Sequence, residues 1–196
     1  MEKTLARNKS GMQLSDELVT TQTMKWVKNF IVDLNICPFA KREVERESVS
    51  IVVLRSKKTQ VALEELMAEV QWLDEHPETE TTLLVFPTLF SDFYRYLDFV
   101  DLAENLMFEQ ECEGVYQLAT FHPDYCFSGT EPNDVSNYTN RSPYPMLHLL
   151  REASVDKAIG FYGDTDVIPE QNIEKMDELG KDKLEAILSA CMKTSD

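Results

Sequence analysis

Short apolar runs alternating with helix-length amphipathic stretches limit this chain more than any other feature. Val49 to Leu54, Thr81 to Phe86 and Val115 to Phe121 are brief runs rich in apolar and β-branched residues. Such runs read as strands covered on both faces. Between the first two, Thr59 caps a predicted helix with Leu63, Leu66, Met67 and Val70 on one stripe, and His76-Pro77 stops it. Between the second and third, Ser91 is the expected cap of a helix carrying Phe93, Tyr96, Leu97, Val100 and Met107, with Gly114 at its exit. A helix is also predicted ahead of the first strand. Ser15 caps it, Asp16 and Glu17 occupy its first turn, and Val27, Phe30, Ile31 and Leu34 share a face until Cys37-Pro38 ends it. Strands joined by helical crossovers predict an α/β sandwich with a small, mostly parallel or mixed sheet and right-handed connections. A ferredoxin-like arrangement with antiparallel neighbours is the alternative.

The chain has 196 residues, 43% hydrophobic and 28% charged, which suits one globular domain over residues 1–196. Residues 1–11 carry no periodicity and are expected to be disordered. A net charge of -16, from 35 acidic against 19 basic residues, repels nucleic-acid backbones and anionic lipid surfaces, so neither is an expected partner. No apolar stretch approaches the ~18 residues that span a bilayer, and the first residues lack a secretory core. Cys37, Cys112, Cys126 and Cys191 form no C-x-x-C pair. They read as reduced thiols, and the expected location is the cytoplasm.

From His122 to Pro145 the apolar pattern lapses. A stretch this long without periodicity reads as a functional loop. Its aromatic residues, among them Tyr125, Phe127, Tyr138 and Tyr144, predict an ordered wall rather than a flexible linker. Beyond it a helix is expected around Tyr144 to Glu152, then a turn or helix near Val155 to Phe161, then two helices separated by Gly180. Ile168-Pro169 places proline at the first position of the earlier one.

In a parallel sheet the loop leaves from the carboxyl edge, where open α/β sheets hold ligands. His122 and Asp124 would there form an acid/base pair, with the carboxylate orienting the imidazole. The competing reading is a hydrogen-bonded structural histidine. At the loop's far end, Asn140, Arg141 and Ser142 run into the expected helix, with Ser142 as its cap. A helix N-terminus beside a guanidinium suits phosphate or carboxylate. On that helix Tyr144, His148 and Arg151 would share a polar stripe, so they join Tyr125 as expected ligand-binding residues; the plain alternative is capping and surface ion pairs. Cys37 is an optional nucleophile if a short helix begins at Pro38, and otherwise a buried small hydrophobe. Cys37, His122, Asp124, Cys126 and His148 have zinc-compatible chemistry without a paired spacing, so no metal site is assigned. Phosphate-loop, dinucleotide and G-x-S-x-G signatures are absent, and no cofactor is named.

Cys37-Pro38-Phe39-Ala40-Lys41, Phe121-His122-Pro123-Asp124-Tyr125 and the run from Asn137 to Glu152 together resemble the bacterial domain-of-unknown-function family 1415. The resemblance covers nearly the whole chain from the first helix onward and implies no activity, substrate or functional residue. Three functional expectations follow from the residues. The first is an enzyme acting on a small anionic metabolite, with Arg141, Ser142 and Arg151 holding the anion. The second is a non-catalytic binding or interaction module, favoured if the loop packs with no cavity beside His122. The third is a metal-dependent hydrolase.

Overall fold

A computed structural model describes residues 14–193; the expected disorder of residues 1–11 lies outside them. Helix α1 spans Asp16–Trp26, and Ser15 caps it by accepting the Leu18 N–H at 3.2 Å. The chain then widens without a break into a π-helical turn over Val27–Val32. It reverses through Asn35, whose φ of 55° lies in the left-handed region, and α2 covers Ala40–Glu45.

Strand β1 (Val49–Val53), helix α3 (Thr59–Glu75), strand β2 (Thr81–Val85), helix α4 (Phe93–Glu109) and strand β3 (Tyr116–Phe121) follow in the expected order. The caps differ by a residue. Lys58 precedes α3 without a side-chain bond, and Asp92 rather than Ser91 caps α4, accepting the Arg95 N–H at 3.0 Å.

The expected helix around Tyr144 to Glu152 is a correction: Met146–Arg151 is strand β4. Its methionine and leucines favour helices weakly, but pairing on both sides overrides that preference. β4 inserts antiparallel between β2 and β3, giving the order β1-β2-β4-β3. Since β1 pairs parallel with β2, and β3 opposes β4 as β2 does, β1, β2 and β3 all run the same way. The sheet is therefore mixed, open and four-stranded, with the late strand in its interior.

The last strand runs straight into α5 (Glu152–Tyr162), which ends at Gly163 with φ 95°. Helices α6 (Val167–Leu179) and α7 (Lys181–Cys191) are separated by Gly180, as the sequence indicates. Pro169 sits third in α6 rather than first, still inside the first turn where its missing N–H costs no helical bond. Among the described residues no helix is long and apolar enough to cross a membrane.

Strand alternation divides the interior into two layers. Leu84, Leu147 and Leu149 join Leu66, Val70 and Phe99 of α3 and α4 on one side. On the other, Leu83, Val85 and Met146 meet Trp26, Phe30 and Leu184 beneath α1, its π-helical extension and α7. The His122 to Pro145 segment is ordered, as expected. The fully buried Asn137 organises it: its Oδ1 accepts from the Phe127 N–H at 2.9 Å and the Thr130 hydroxyl at 2.8 Å, and its Nδ2 donates to Glu131 O at 2.9 Å.

Candidate functional site

The second layer does not fill its space. A cavity of about 920 Å³ lies between the sheet and the helices. Leu83, Ala119, Phe121, His148 and Leu150 form its floor. They share one face because β4 is in register with both neighbours: His148 pairs with Leu83 on one side and Ala119 on the other. Trp26, Val27 and Ile31 supply one wall from the helix that widens at Val27, and Cys37, Phe39 and Ala40 extend it. Val155 and Ala158 of α5 flank the opposite side, with Ile168 of α6 beside them and the exposed Phe161 and Ile173 at the rim. None of the α5 residues is buried, so this helix covers the cavity without a core of its own. Phe39 meets Tyr162 edge-on at 5.6 Å between centroids, joining the two walls.

Polar and charged residues share the lining with the apolar ones, among them Glu80, Gln117, His148, Lys157 and Asn172. His148 is half-buried on the sheet floor beside the buried Thr81. Thr81 Oγ1 donates its single proton to Leu149 O at 2.6 Å, so at 2.6 Å from His148 Nε2 it accepts, and the imidazole carries its proton on Nε2. Burial pushes the ring's pKa down to about 4, and it is neutral at physiological pH. Cys37 also lines the cavity, with its carbonyl accepting the Ala40 N–H at 3.2 Å. Burial pushes its thiol up, against smaller opposing bonds from the Phe39 and Ala40 backbone. It is a thiol, not a thiolate, at neutral pH. Asn140 lines the cavity at the loop end, donating from Nδ2 to Thr120 O at 3.0 Å. At the rim, Arg42 and Arg46 lie 3.6 Å and 3.7 Å from Glu43 carboxylate oxygens.

The remaining sequence-derived candidates lie elsewhere. His122 is 0% exposed and sits on the α4 side against Phe93 and Tyr96. Its Nδ1 accepts the backbone N–H of Asp124 at 2.9 Å, so Nε2 donates to Phe90 O at 2.8 Å. The expected acid/base geometry is corrected: the main chain of Asp124, not its carboxylate, orients the ring, and both nitrogens are spent on backbone. Desolvation lowers its pKa as well. No part of the cavity touches it.

The expected anion focus is also corrected, because no helix starts after Ser142. That hydroxyl donates to Tyr144 O at 2.7 Å. The Arg141 guanidinium donates to Tyr125 O at 3.3 Å and Pro132 O at 2.7 Å and lies 4.4 Å over the Tyr138 ring. The Tyr144 hydroxyl donates to Gln22, and the Tyr125 hydroxyl lies 3.3 Å from that of Thr120. Arg151 flanks the cavity, but its donors turn to the carbonyls of Leu73 at 2.6 Å, His76 at 3.3 Å and Thr79 at 3.2 Å, and to the Tyr116 hydroxyl at 3.0 Å. It closes the C-terminus of α3, where carbonyls otherwise lack partners.

Of the ten candidates, then, Cys37, Asn140, His148 and the flank of Arg151 meet at one cavity. His122, Asp124, Tyr125, Arg141, Ser142 and Tyr144 hold the loop in shape. Thr81 and the α5 lining were not anticipated; a threonine in a strand and an amphipathic helix carry no distinguishing signal. Among the described residues no group of three or more His, Cys, Asp or Glu side chains gathers in a metal-binding arrangement.

A family model described as "Protein of unknown function (DUF1415)" matches residues 18–186. The chain belongs to this family. The DUF1415 match runs from the first turn of α1 into α7 and includes every element that lines the cavity. No curated protein and no solved structure matches the chain.

Proposed function

We propose that this DUF1415 protein is a binding module for a small, largely apolar organic molecule held between its sheet and its α1/α5/α6 layer. The observation that carries this reading is the cavity of about 920 Å³, walled mostly by aliphatic and aromatic side chains with polar and charged ones between them. Small-molecule sites typically measure ~300–1,000 Å³ and combine apolar walls with few polar groups. Interiors otherwise pack to crystal-like density, and an unfilled volume of this size forfeits the dispersion contacts of every residue around it.

Binding without catalysis is the better-supported role. The cavity does not reach His122, which is 0% exposed. Two groups with chemical potential at the cavity are tuned away from acid/base work, His148 toward a weak base and Cys37 toward a protonated thiol. The guanidiniums of Arg141 and Arg151 already serve carbonyls, so the anion-holding role expected of them loses its support.

Titration with the uncharged fluorophore N-phenyl-1-naphthylamine tests the reading. We expect saturable enhancement at one molecule per chain, and at least a tenfold loss of affinity in Ala158→Trp, which fills the cavity from a helix with no buried residue. Absence of saturation, or a variant that binds like wild type, overturns it.

A further inference from the structure

Resting on the binding role above, we propose that the occupant carries a hydrogen-bond donor, a neutral O–H or N–H, which it delivers to Nδ1 of His148. The protein thereby selects a donor-bearing apolar molecule over a pure hydrocarbon.

The argument follows the protons. Thr81 Oγ1 has one hydrogen and gives it to Leu149 O, a pure acceptor, at 2.6 Å. Its contact with His148 Nε2 at 2.6 Å is satisfied only if the ring donates. A neutral imidazole that donates through Nε2 keeps a bare lone pair on Nδ1. That atom meets no hydrogen-bond partner among the described residues: the contact of the His148 side chain to Thr81 accounts for Nε2 alone. Nor does Nδ1 belong with the buried polar atoms lacking a partner, which among the described residues are Thr23 Oγ1, Ser56 Oγ and Glu65 Oε2. It is therefore both unpaired and accessible. His148 lines the cavity, and the strand neighbours on its two sides are Leu83 and Ala119, neither of which offers a side-chain donor.

Two features restrict the donor's chemistry. The ring is half-buried between Leu83 and Ala119, neither of which can pair with a charge, whereas a neutral hydroxyl or amine exchanges one hydrogen bond for another. The tautomer is also fixed from behind. With Nε2–H committed to Thr81, Nδ1 cannot become a donor, so an occupant presenting only an ether or carbonyl oxygen there faces a lone pair. A site built to pair with a donor rejects the analogue that lacks one more firmly than an apolar wall rejects an added methylene.

Displacement of N-phenyl-1-naphthylamine by three competitors tests the inference: 1-naphthol, 1-methoxynaphthalene and naphthalene. Naphthol is the least hydrophobic of them, so area burial alone ranks it last. We expect it instead to bind wild type about threefold to tenfold more tightly than the ether or the hydrocarbon. In His148→Phe, which retains a ring of similar breadth, that preference vanishes or inverts. Equal or weaker displacement by naphthol in wild type overturns the inference while leaving the cavity reading intact, and needs no variant that must fold. Failure of all three competitors and of the fluorophore to bind overturns the cavity reading, and this inference with it. If naphthol is preferred, the nitrogen NMR resonance of Nδ1 should move upfield when it binds; an unmoved resonance places the hydroxyl elsewhere and also overturns the inference.

Discussion

Substituting His148 by phenylalanine should flatten part of the acid limb of this protein's stability curve. In the folded chain the imidazole is held down to about 4 from an ordinary 6.5, chiefly by desolvation. Unfolding releases it into water, where it takes up a proton at any pH below 6.5. The unfolded state therefore binds more protons over the interval between the two values, and stability falls as pH falls through it. Above pH 6.5 neither state is protonated and the group contributes no slope. Below about pH 4 both are protonated and the loss is complete. The gap between the two values corresponds to about 3 kcal/mol in total, of which about 2 kcal/mol is already lost by pH 5. Against a typical domain stability of ~5–15 kcal/mol this is a large fraction. The assay is urea unfolding at pH 7.5, 6.5, 5.5 and 5.0, followed by circular dichroism, on wild type and His148→Phe. Carboxylates and His122, whose pKa is also lowered, give both proteins a shared slope, so the quantity of interest is the difference between them. The variant should lose about 2 kcal/mol less than wild type between pH 7.5 and 5.0. Parallel curves would refute the placement of a neutral, enclosed imidazole at position 148, and with it the tautomer argument for the cavity floor.

Arg151→Met should lower stability by about 3 kcal/mol, because it strips charged donors from the Leu73, His76 and Thr79 carbonyls at the end of α3 while keeping the side chain's bulk. Arg151→Lys should recover only part of this, since an ammonium cannot span the same fork; a lysine variant with the wild-type urea midpoint would contradict that account. Cys37 in the folded protein should react with iodoacetamide at pH 7.5 far more slowly than free cysteine, because burial keeps it a thiol. Peptide mass spectrometry showing free-cysteine rates at Cys37 would put a thiolate there and reopen it as a nucleophile.

The first three strands and the helices between them were legible because each is decided locally: apolar runs of strand length, stripes at helical spacing, and stop signals at His76-Pro77 and Gly114. β4 was not. Met146-Leu147-His148-Leu149-Leu150-Arg151 is built from residues that favour helices, it has apolar residues at i, i+3 and i+4, and it passes into α5 with no turn between them. Four apolar residues in a run of six satisfy a buried strand and a helical stripe equally well. What decides between them lies far away in the chain, in the edges of β2 and β3 that wait for a partner on either side. The error spread from there to the site: reading β4 as a helix gave Ser142 a capping role and Arg141 an anion to hold.

The same strand explains why two histidines that look alike in sequence part company in space. Successive residues of a strand face opposite sides, so the fate of each rests on parity and register. Ala119, His148 and Leu83 lie across three adjacent strands at one level, and that level faces the unfilled layer. A slip of one residue in β4 would turn Leu147 or Leu149 toward the cavity and drive the imidazole into the leucine and phenylalanine core under α3 and α4, where no Thr81 hydroxyl would meet it. His122 leaves β3 just past its end and is taken by the backbone of Phe90 and Asp124, which satisfies both nitrogens and ends its availability. Sequence offers one signal for this distinction. Position 148 is the polar member of an otherwise apolar run, and a polar group kept inside a sheet requires a partner on each of its hydrogen-bonding atoms. One partner is in the chain. The other atom faces the cavity, and that asymmetry ties the register of a strand to the donor-bearing occupant proposed for it.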